Sequence, residues 1–402
     1  MPQPRAPRIL LISNGHGEDL NGGLIADQLL ALRPDLELQA LPIVGDGHAY
    51  RRRGIPLLHQ GAPLPSGGMV YQGLNLWRDL AAGLIQQTIR QFWVAWRRGR
   101  EADLVLCIGD HVPMAFAWLT GRPAVVFLVS TSSHYEGKLR LPAFSRRFCR
   151  RPAVRLVLTR DVFTAHDLQE QGLNRARFCG YPIMDLAPAA AAPEVPPLQI
   201  PEGSTAITLL PGSRFPECLH NLLLLVRLCA LLERRDPERP WCFHAAVLPG
   251  TEARELRALA AAIGWSLEPG RLSSANGRVQ VILRSDAFAP ILRSSDLVLG
   301  MAGTAVEQAV GLGKPVVQIP GRGPQFSYAF AEAQMRLLGP AVFTVGTGPA
   351  GAAELEQAAD LCLELLADPE LPEGCAAVGL ERVGPPGGSR GIAAAVLEAL
   401  RS

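Results

Sequence analysis

Short unbroken apolar runs alternate with stretches of helical periodicity along most of the chain. Runs at 8–13, 36–41, 104–109, 124–130 and 154–159 predict strands buried on both faces, and the stretches 22–32, 114–119 and 162–171 predict the helices that cover them. Near residue 186 the alternation stops in Ala187-Pro-Ala-Ala-Ala-Ala-Pro-Glu-Val-Pro-Pro, a semi-rigid Pro/Ala connector. It restarts at Thr205, with strands predicted at 206–210, 242–247, 279–283, 297–300 and 315–319 and a last helix at 391–400. The fold class is therefore α/β, with two Rossmann-like doubly wound domains over 1–186 and 204–402 joined by a linker over 187–203. Open α/β sheets bind ligands at the carboxyl ends of their strands, so two of them in tandem predict a cleft with the site in it.

Two strand-to-helix junctions in the second half carry the most chemistry. Leu-Leu-Pro-Gly-Ser-Arg-Phe-Pro-Glu at 209–217 follows a strand signal and opens an amphipathic run at 221–232. Free backbone N–H groups at such a helix start, with Gly212, Ser213 and Arg214 beside them, make a cradle for a phosphate, although the same residues also read as a structural turn. The second junction runs from Asp296 through Gly300 and Gly303 to Thr304-Ala-Val-Glu307. Its last four residues match a capping box, in which Thr304 caps and Glu307 reaches back. The glycines give it a second reading, because they let a ligand approach the backbone, where Glu307 could accept from two ribose hydroxyls. Two cradles in one domain predict a grip on a nucleotide diphosphate.

Composition narrows the partners. A net charge of +2 argues against a general nucleic-acid binder, and 48% hydrophobic with 19% charged residues describes a compact soluble protein. Eight scattered cysteines with no CxxC pair predict reduced thiols in a cytoplasmic protein and neither a metal site nor a disulfide framework. No run is long enough for a signal-peptide core or a membrane span, so any membrane contact is expected to be peripheral. Two segments point that way: 77–100, with Trp77, Trp93 and Trp96 among five arginines, and 139–155, with Phe144, Phe148 and six arginines. Trp and Arg together suit a lipid headgroup boundary, and they equally suit a buried interdomain helix with a solvated basic face.

The first half offers two candidate bases. His16 lies in Asn14-Gly-His-Gly-Glu-Asp19 after the first strand, and Asp110 ends the strand signal at 104–109. Asp110, at the end of a buried strand, is the stronger candidate for the base, with His16 a hydrogen-bond donor.

These motifs resemble the GT-B glycosyltransferases, in particular the lipid-A-disaccharide synthases, with the peptidoglycan GlcNAc transferases more distant. The resemblance rests on Leu209-Leu-Pro-Gly-Ser-Arg214 with Glu217, on Gly303-Thr-Ala-Val-Glu307 followed by Gly313-Lys-Pro-Val-Val, and on Gly180-Tyr-Pro-Ile-Met-Asp185 before the linker. Gln325 resembles the glutamine that in such enzymes helps hold the donor sugar. The resemblance implies a UDP-sugar-binding C-terminal domain holding Gly212, Ser213, Arg214, Glu217, Gly303, Thr304, Glu307 and Gln325, and an N-terminal acceptor domain on which the last helix has room to pack. It also implies an inverting, metal-independent hexosyltransferase that needs no cofactor beyond its donor substrate, moving a GlcNAc-like sugar to a lipid or lipid-linked acceptor. Location would be cytoplasmic, at the inner face of the membrane. A UDP-sugar 2-epimerase and a catalytically silent sugar-nucleotide binder share the same cradle. Two departures, Gly-His-Gly-Glu-Asp at 15–19 and Val-Ser-Thr-Ser-Ser-His-Tyr-Glu at 129–136, both fall in the acceptor half.

Overall fold

The structure, a computed structural model, describes residues 5–44, 46–59, 84–186, 197–251, 254–323 and 325–402. It divides into two compact units, Met1–Asp185 with Pro385–Ser402, and Leu186–Gly384.

The first unit holds β1 (Arg8–Ser13), β2 (Glu37–Pro42), β3 (Leu104–Ile108), β4 (Ala124–Leu128), β5 (Val154–Thr159) and β6 (Ala176–Phe178), in the order β2-β1-β3-β4-β5-β6. Every pairing is parallel. β3 and β4 are buried at every position, which is why they read as unbroken apolar runs. The closing helix Gly388–Arg401 packs against the helix His16–Leu32 of this unit. It docks on the Gly180 to Asp185 segment: the Asp185 carboxylate accepts the N–H groups of Gly387 and Ser389 at 2.5 and 2.8 Å. Gly180 has φ +100°, and a Cβ there would come within 2.4 Å of the Gly388 Cα, so only glycine allows this approach.

The second unit holds β7 (Thr205–Leu210), β8 (Trp241–Ala246), β9 (Trp265–Glu268), β10 (Arg271–Ser274), β11 (Gln280–Arg284), β12 (Leu297–Gly300), β13 (Val316–Gln318) and β14 (Val342–Thr344). Their order is β14-β13-β12-β7-β8-β11-β10-β9, parallel except for the hairpin β9/β10 and its join to β11. The helix Glu217–Arg235 buries Leu219, Leu222, Val226, Cys229 and Leu232, residues three or four apart on one stripe, and packs against the helix Ala352–Ala367. Each such leucine contributes about 1.5–3 kcal/mol by leaving water.

Both sheets share one topological device. β1 has β2 on one side and β3 on the other, and β7 likewise lies between β8 and β12. Successive crossovers therefore diverge from the first strand, and the loops at its carboxyl end part to leave a crevice.

Several elements differ from the sequence-based expectation. The first helix begins at His16 rather than near Gly22, and the helix after β7 begins at Glu217 rather than Asn221. The three-residue strands β6 and β14 and the β9/β10 hairpin had no sequence signal long enough to register. Of the expected linker, 197–203 is described and carries no helix or strand, while 187–196 lies outside the described residues, as does 77–83 of the Trp/Arg segment. Among the described residues no helix is long and apolar enough to cross a membrane.

Candidate functional site

In the second unit the crevice is built from the loops after β7, β12 and β13. β7 and β12 are neighbours, with Leu210 opposite Gly300, so the two expected cradles emerge side by side. The Met301 N–H donates to the Leu210 carbonyl at 2.8 Å. Gly212 has φ +96°, and a Cβ there would stand 3.0 Å from the Met301 carbonyl oxygen, so glycine serves both the turn and the close approach. Ser213 and Arg214 follow on the exposed part of the loop.

Glu217 does not stand where the motif predicts. Its carboxylate is buried and accepts the backbone N–H groups of Gln325 and Phe326, each at 3.0 Å. It therefore positions the third loop, and with it Gln325, instead of facing a ligand. One turn on, Asn221 donates to the Pro211 carbonyl at 3.0 Å, and its Oδ1 lies 2.8 Å from where a Cβ on Gly321 would stand. Glu217 and Asn221, four apart on one helix face, thus tie the first and third loops together.

The capping box at Thr304 does not form. Gly303 is the N-cap residue of the helix Thr304–Gly311, with no side-chain cap bond, and its carbonyl accepts from Val306 at 3.0 Å and Glu307 at 3.3 Å. Thr304 is the first helical residue and Glu307 the fourth. The helix starts one residue earlier than a box at Thr304 requires, because a glycine can cap with its backbone alone. Gly212, Ser213, Arg214, Gly303, Thr304, Glu307 and Gln325 all stand on this one edge of the sheet.

The first unit's crevice lies after β1 and β3 and holds acids. Asp110 is the N-cap of the helix His111–Thr120: its Oδ1 accepts the Val112 N–H at 2.9 Å and the Asn14 amide at 3.3 Å, and its Oδ2 lies 3.8 Å from His111 Nδ1. His16 is not in a loop as the flanking glycines implied. It is the exposed first residue of its helix, with Gly15 as N-cap. Glu18 accepts from the Ser130 hydroxyl at 2.5 Å, which adds the loop after β4 to this edge.

Asp19, the last residue of that motif, is the most perturbed acid here. It is 2% exposed; Ser13 Oγ donates to its Oδ1 at 2.6 Å, and the Tyr50 hydroxyl lies 2.9 Å from Ser13 Oγ. Burial pushes its carboxyl up to about 7, with the Ser13 bond pulling the other way and the charges of Glu18 and Asp46 adding to the rise. The acid itself was visible beside the glycines of the helix start, but nothing local signals that it is buried.

The Trp/Arg segment is described from Leu84. Phe92 stacks on Phe116 at 4.3 Å and Gln91 donates to the Ile43 carbonyl at 2.9 Å, while Ile89, Trp93 and Trp96 face outward. Arg97 covers Trp93 at 5.0 Å and Arg100 covers Trp96 at 4.6 Å. The adjacent helices His111–Thr120 and Ala143–Cys149 add exposed Trp118 and Phe144, with Arg146 and Arg147 also exposed; Phe148 is buried.

No protein-family model and no curated protein sequence matches the chain. Solved structures do resemble it over nearly its full length. The glycotransferase of kitacinnamycin is 17% identical with a TM-score of 0.59, over 99% of this chain and 100% of that one. MurG of Acinetobacter baumannii is 14% identical with a TM-score of 0.56, over 98% and 99%. The UDP-GlcNAc 2-epimerase of Neisseria meningitidis, bound to UDP-GlcNAc, is 14% identical with a TM-score of 0.54, over 98% and 99%. The chain has the two-domain Rossmann-like GT-B fold. At such identities the likeness speaks for the fold alone.

Proposed function

We propose that the chain is an inverting GT-B glycosyltransferase that moves a hexosamine-type sugar from a UDP-sugar to a lipid or lipid-linked acceptor, as the lipid-A-disaccharide synthases do. The observation that carries this reading is the second unit's crevice, where the Gly212 turn, Arg214 and the helix start at Thr304 gather hydrogen-bond donors on one sheet edge. Donors so placed bind a diphosphate and stabilise the charge that grows on it as the bond to the anomeric carbon breaks. Glu307 is the ribose ligand in this scheme, and Gln325 contacts the donor sugar. An acceptor hydroxyl attacks the opposite face of that carbon, and Asp110 or His16 of the acceptor unit takes its proton. UDP leaves with its electron pair, and the scheme calls for no divalent ion, so activity should survive a chelator.

The acceptor's chemistry is read from the outward Ile89, Trp93 and Trp96 with their arginines, a combination that fits an anionic lipid surface from the cytoplasmic side. Flotation with anionic liposomes at low salt should carry the protein, and an Arg97/Arg98/Arg100 triple alanine variant should float less.

The test of function is incubation with labelled UDP-sugars and total lipid, followed by mass analysis. A glycosylated lipid with release of UDP is the expected result. A second reading, UDP-sugar 2-epimerase, is favoured by the likeness to the epimerase bound to UDP-GlcNAc. Conversion of the sugar without any acceptor would establish it, and unaltered donor throughout would leave a silent sugar-nucleotide binder.

A further inference from the structure

Gln334, on the helix Tyr328–Leu338, has no place in the motifs above, and it is 4% exposed. Its amide nitrogen donates to two successive carbonyls, those of Ala302 and Gly303, each at 3.0 Å. Two carbonyl acceptors require the NH2 end of the side chain, so the amide orientation follows from its partners. The helix that presents it is itself held to the sheet, because Gln318 on β13 donates to the Ala331 carbonyl at 2.6 Å and to Thr344 Oγ1 at 2.7 Å.

Peptide geometry turns this contact into a statement about the crevice. In a planar trans peptide the C=O and the following N–H point in opposite directions. Drawing the Ala302 and Gly303 carbonyls toward the buried Gln334 therefore aims the N–H groups of Gly303 and Thr304 the other way. Both of those residues are half-buried, at the start of the helix Thr304–Gly311. Two successive N–H groups aimed together form an anion nest. One turn before Gln334, Phe330 Cζ lies 3.5 Å from where a Gly303 Cβ would stand, so the same helix also brings an exposed aromatic ring to that turn.

We infer that Gln334 is a positioning residue for the diphosphate: it fixes the 302–304 peptide groups so that their N–H groups are presented to the donor before it binds. The inference rests on the donor-site reading above. It separates the phosphate-specific part of binding from the nucleoside part, since the nest can act only on an anion.

Calorimetry on the full chain with UDP and with uridine tests it. Wild type should bind UDP more tightly than uridine; equal affinities would overturn the donor-site reading and this inference with it. Gln334→Met keeps the length and removes the donors, and should weaken UDP by about tenfold while uridine changes by less than about twofold. Unchanged UDP affinity in the folded variant, or an equal loss for both ligands, overturns the inference. Should the variant not fold, amide exchange on wild type decides: bound UDP should slow exchange at Gly303 and Thr304, and unaltered exchange there with UDP bound overturns it.

Discussion

The two crevices of this chain share a topology and have opposite chemistry. In each unit the first strand lies between its successor and a later strand, and the loops part at its carboxyl end. In the second unit that edge presents a glycine turn, Arg214 and a helix start, and the deeply placed carboxylate of Glu217 is bound by two backbone N–H groups. In the first unit the same edge carries Glu18, Asp19 and Asp110 with His16 and His111. A helix start favours anions through its dipole, so in the first unit the protein's own carboxylates occupy the favourable positions, which under the proposed function the second unit offers to a ligand. Topology provides the crevice, and the side chains decide whether it attracts an anion or a proton.

Removing the buried acid should have the largest effect. In the folded chain Asp19 holds its proton up to about pH 7, whereas its ordinary value is 3.8. Between those values the folded state binds more protons than the unfolded state, so stability falls as pH rises, and the full cost, up to about 4 kcal/mol, is present above pH 7. Wild type should therefore be less stable to urea at pH 8 than at pH 5 by an amount that Asp19→Asn removes. An identical pH response in the two proteins would show that Asp19 ionises freely and that the acidic edge is less confined than its burial indicates.

Next in size is the effect at the proposed proton acceptor. Asp110→Asn should lower turnover by about 100-fold or more while UDP affinity stays close to wild type, because the change lies in the other unit. Asparagine caps a helix about as well as aspartate, so the fold should persist and the loss can be assigned to chemistry. Should this variant stay active while His16→Ala is inactive with UDP binding intact, the two roles are exchanged.

In the donor-rich crevice, Arg214→Ala should reduce turnover by about tenfold and weaken UDP binding less, since charge on the diphosphate is greatest in the transition state. Arg214 is exposed, so melting should be unaffected. Equal losses in binding and turnover would mean that Arg214 holds the ground state only.

What could be read from the sequence follows the same divide. Strands buried on both faces were legible as apolar runs, and 154–159 and 297–300 coincide with β5 and β12. The glycine-bearing loops after β7 and β12 were legible because glycines at strand ends mark turns and close approaches. The residues that hold those loops in place were not. Asn221 sits in a helix whose pattern is otherwise set by leucines, and Gln334 is one polar residue in an amphipathic helix; neither has a sequence signature, because each acts on a carbonyl distant in sequence. The stretch that holds Glu217 was legible and its role was not, since a carboxylate bound by backbone N–H groups looks, in sequence, like one that is free. Asp19 was visible, but its burial depends on Tyr50 and Ser13 closing over it, which no local pattern records.

The smallest expected effect tests whether Asp19 is governed by burial or by its one hydrogen bond. Ser13 Oγ donates to Asp19 Oδ1 and so favours the charged form, opposing the larger effect of burial. Ser13→Ala removes a bond worth about 1 kcal/mol, which should move the pH midpoint of the stability change upward by about 0.7 unit. Tyr50→Phe is the matched control, because it removes only the hydroxyl that meets Ser13 and leaves the Ser13 to Asp19 bond in place. Both variants should lose some stability at every pH, since each leaves a buried polar atom with one partner fewer. Only Ser13→Ala should shift the midpoint. A shift with Tyr50→Phe and none with Ser13→Ala would transfer control of the acid to the tyrosine, and the acidic crevice would then be tuned from the short helix His48–Arg51 rather than from the end of β1.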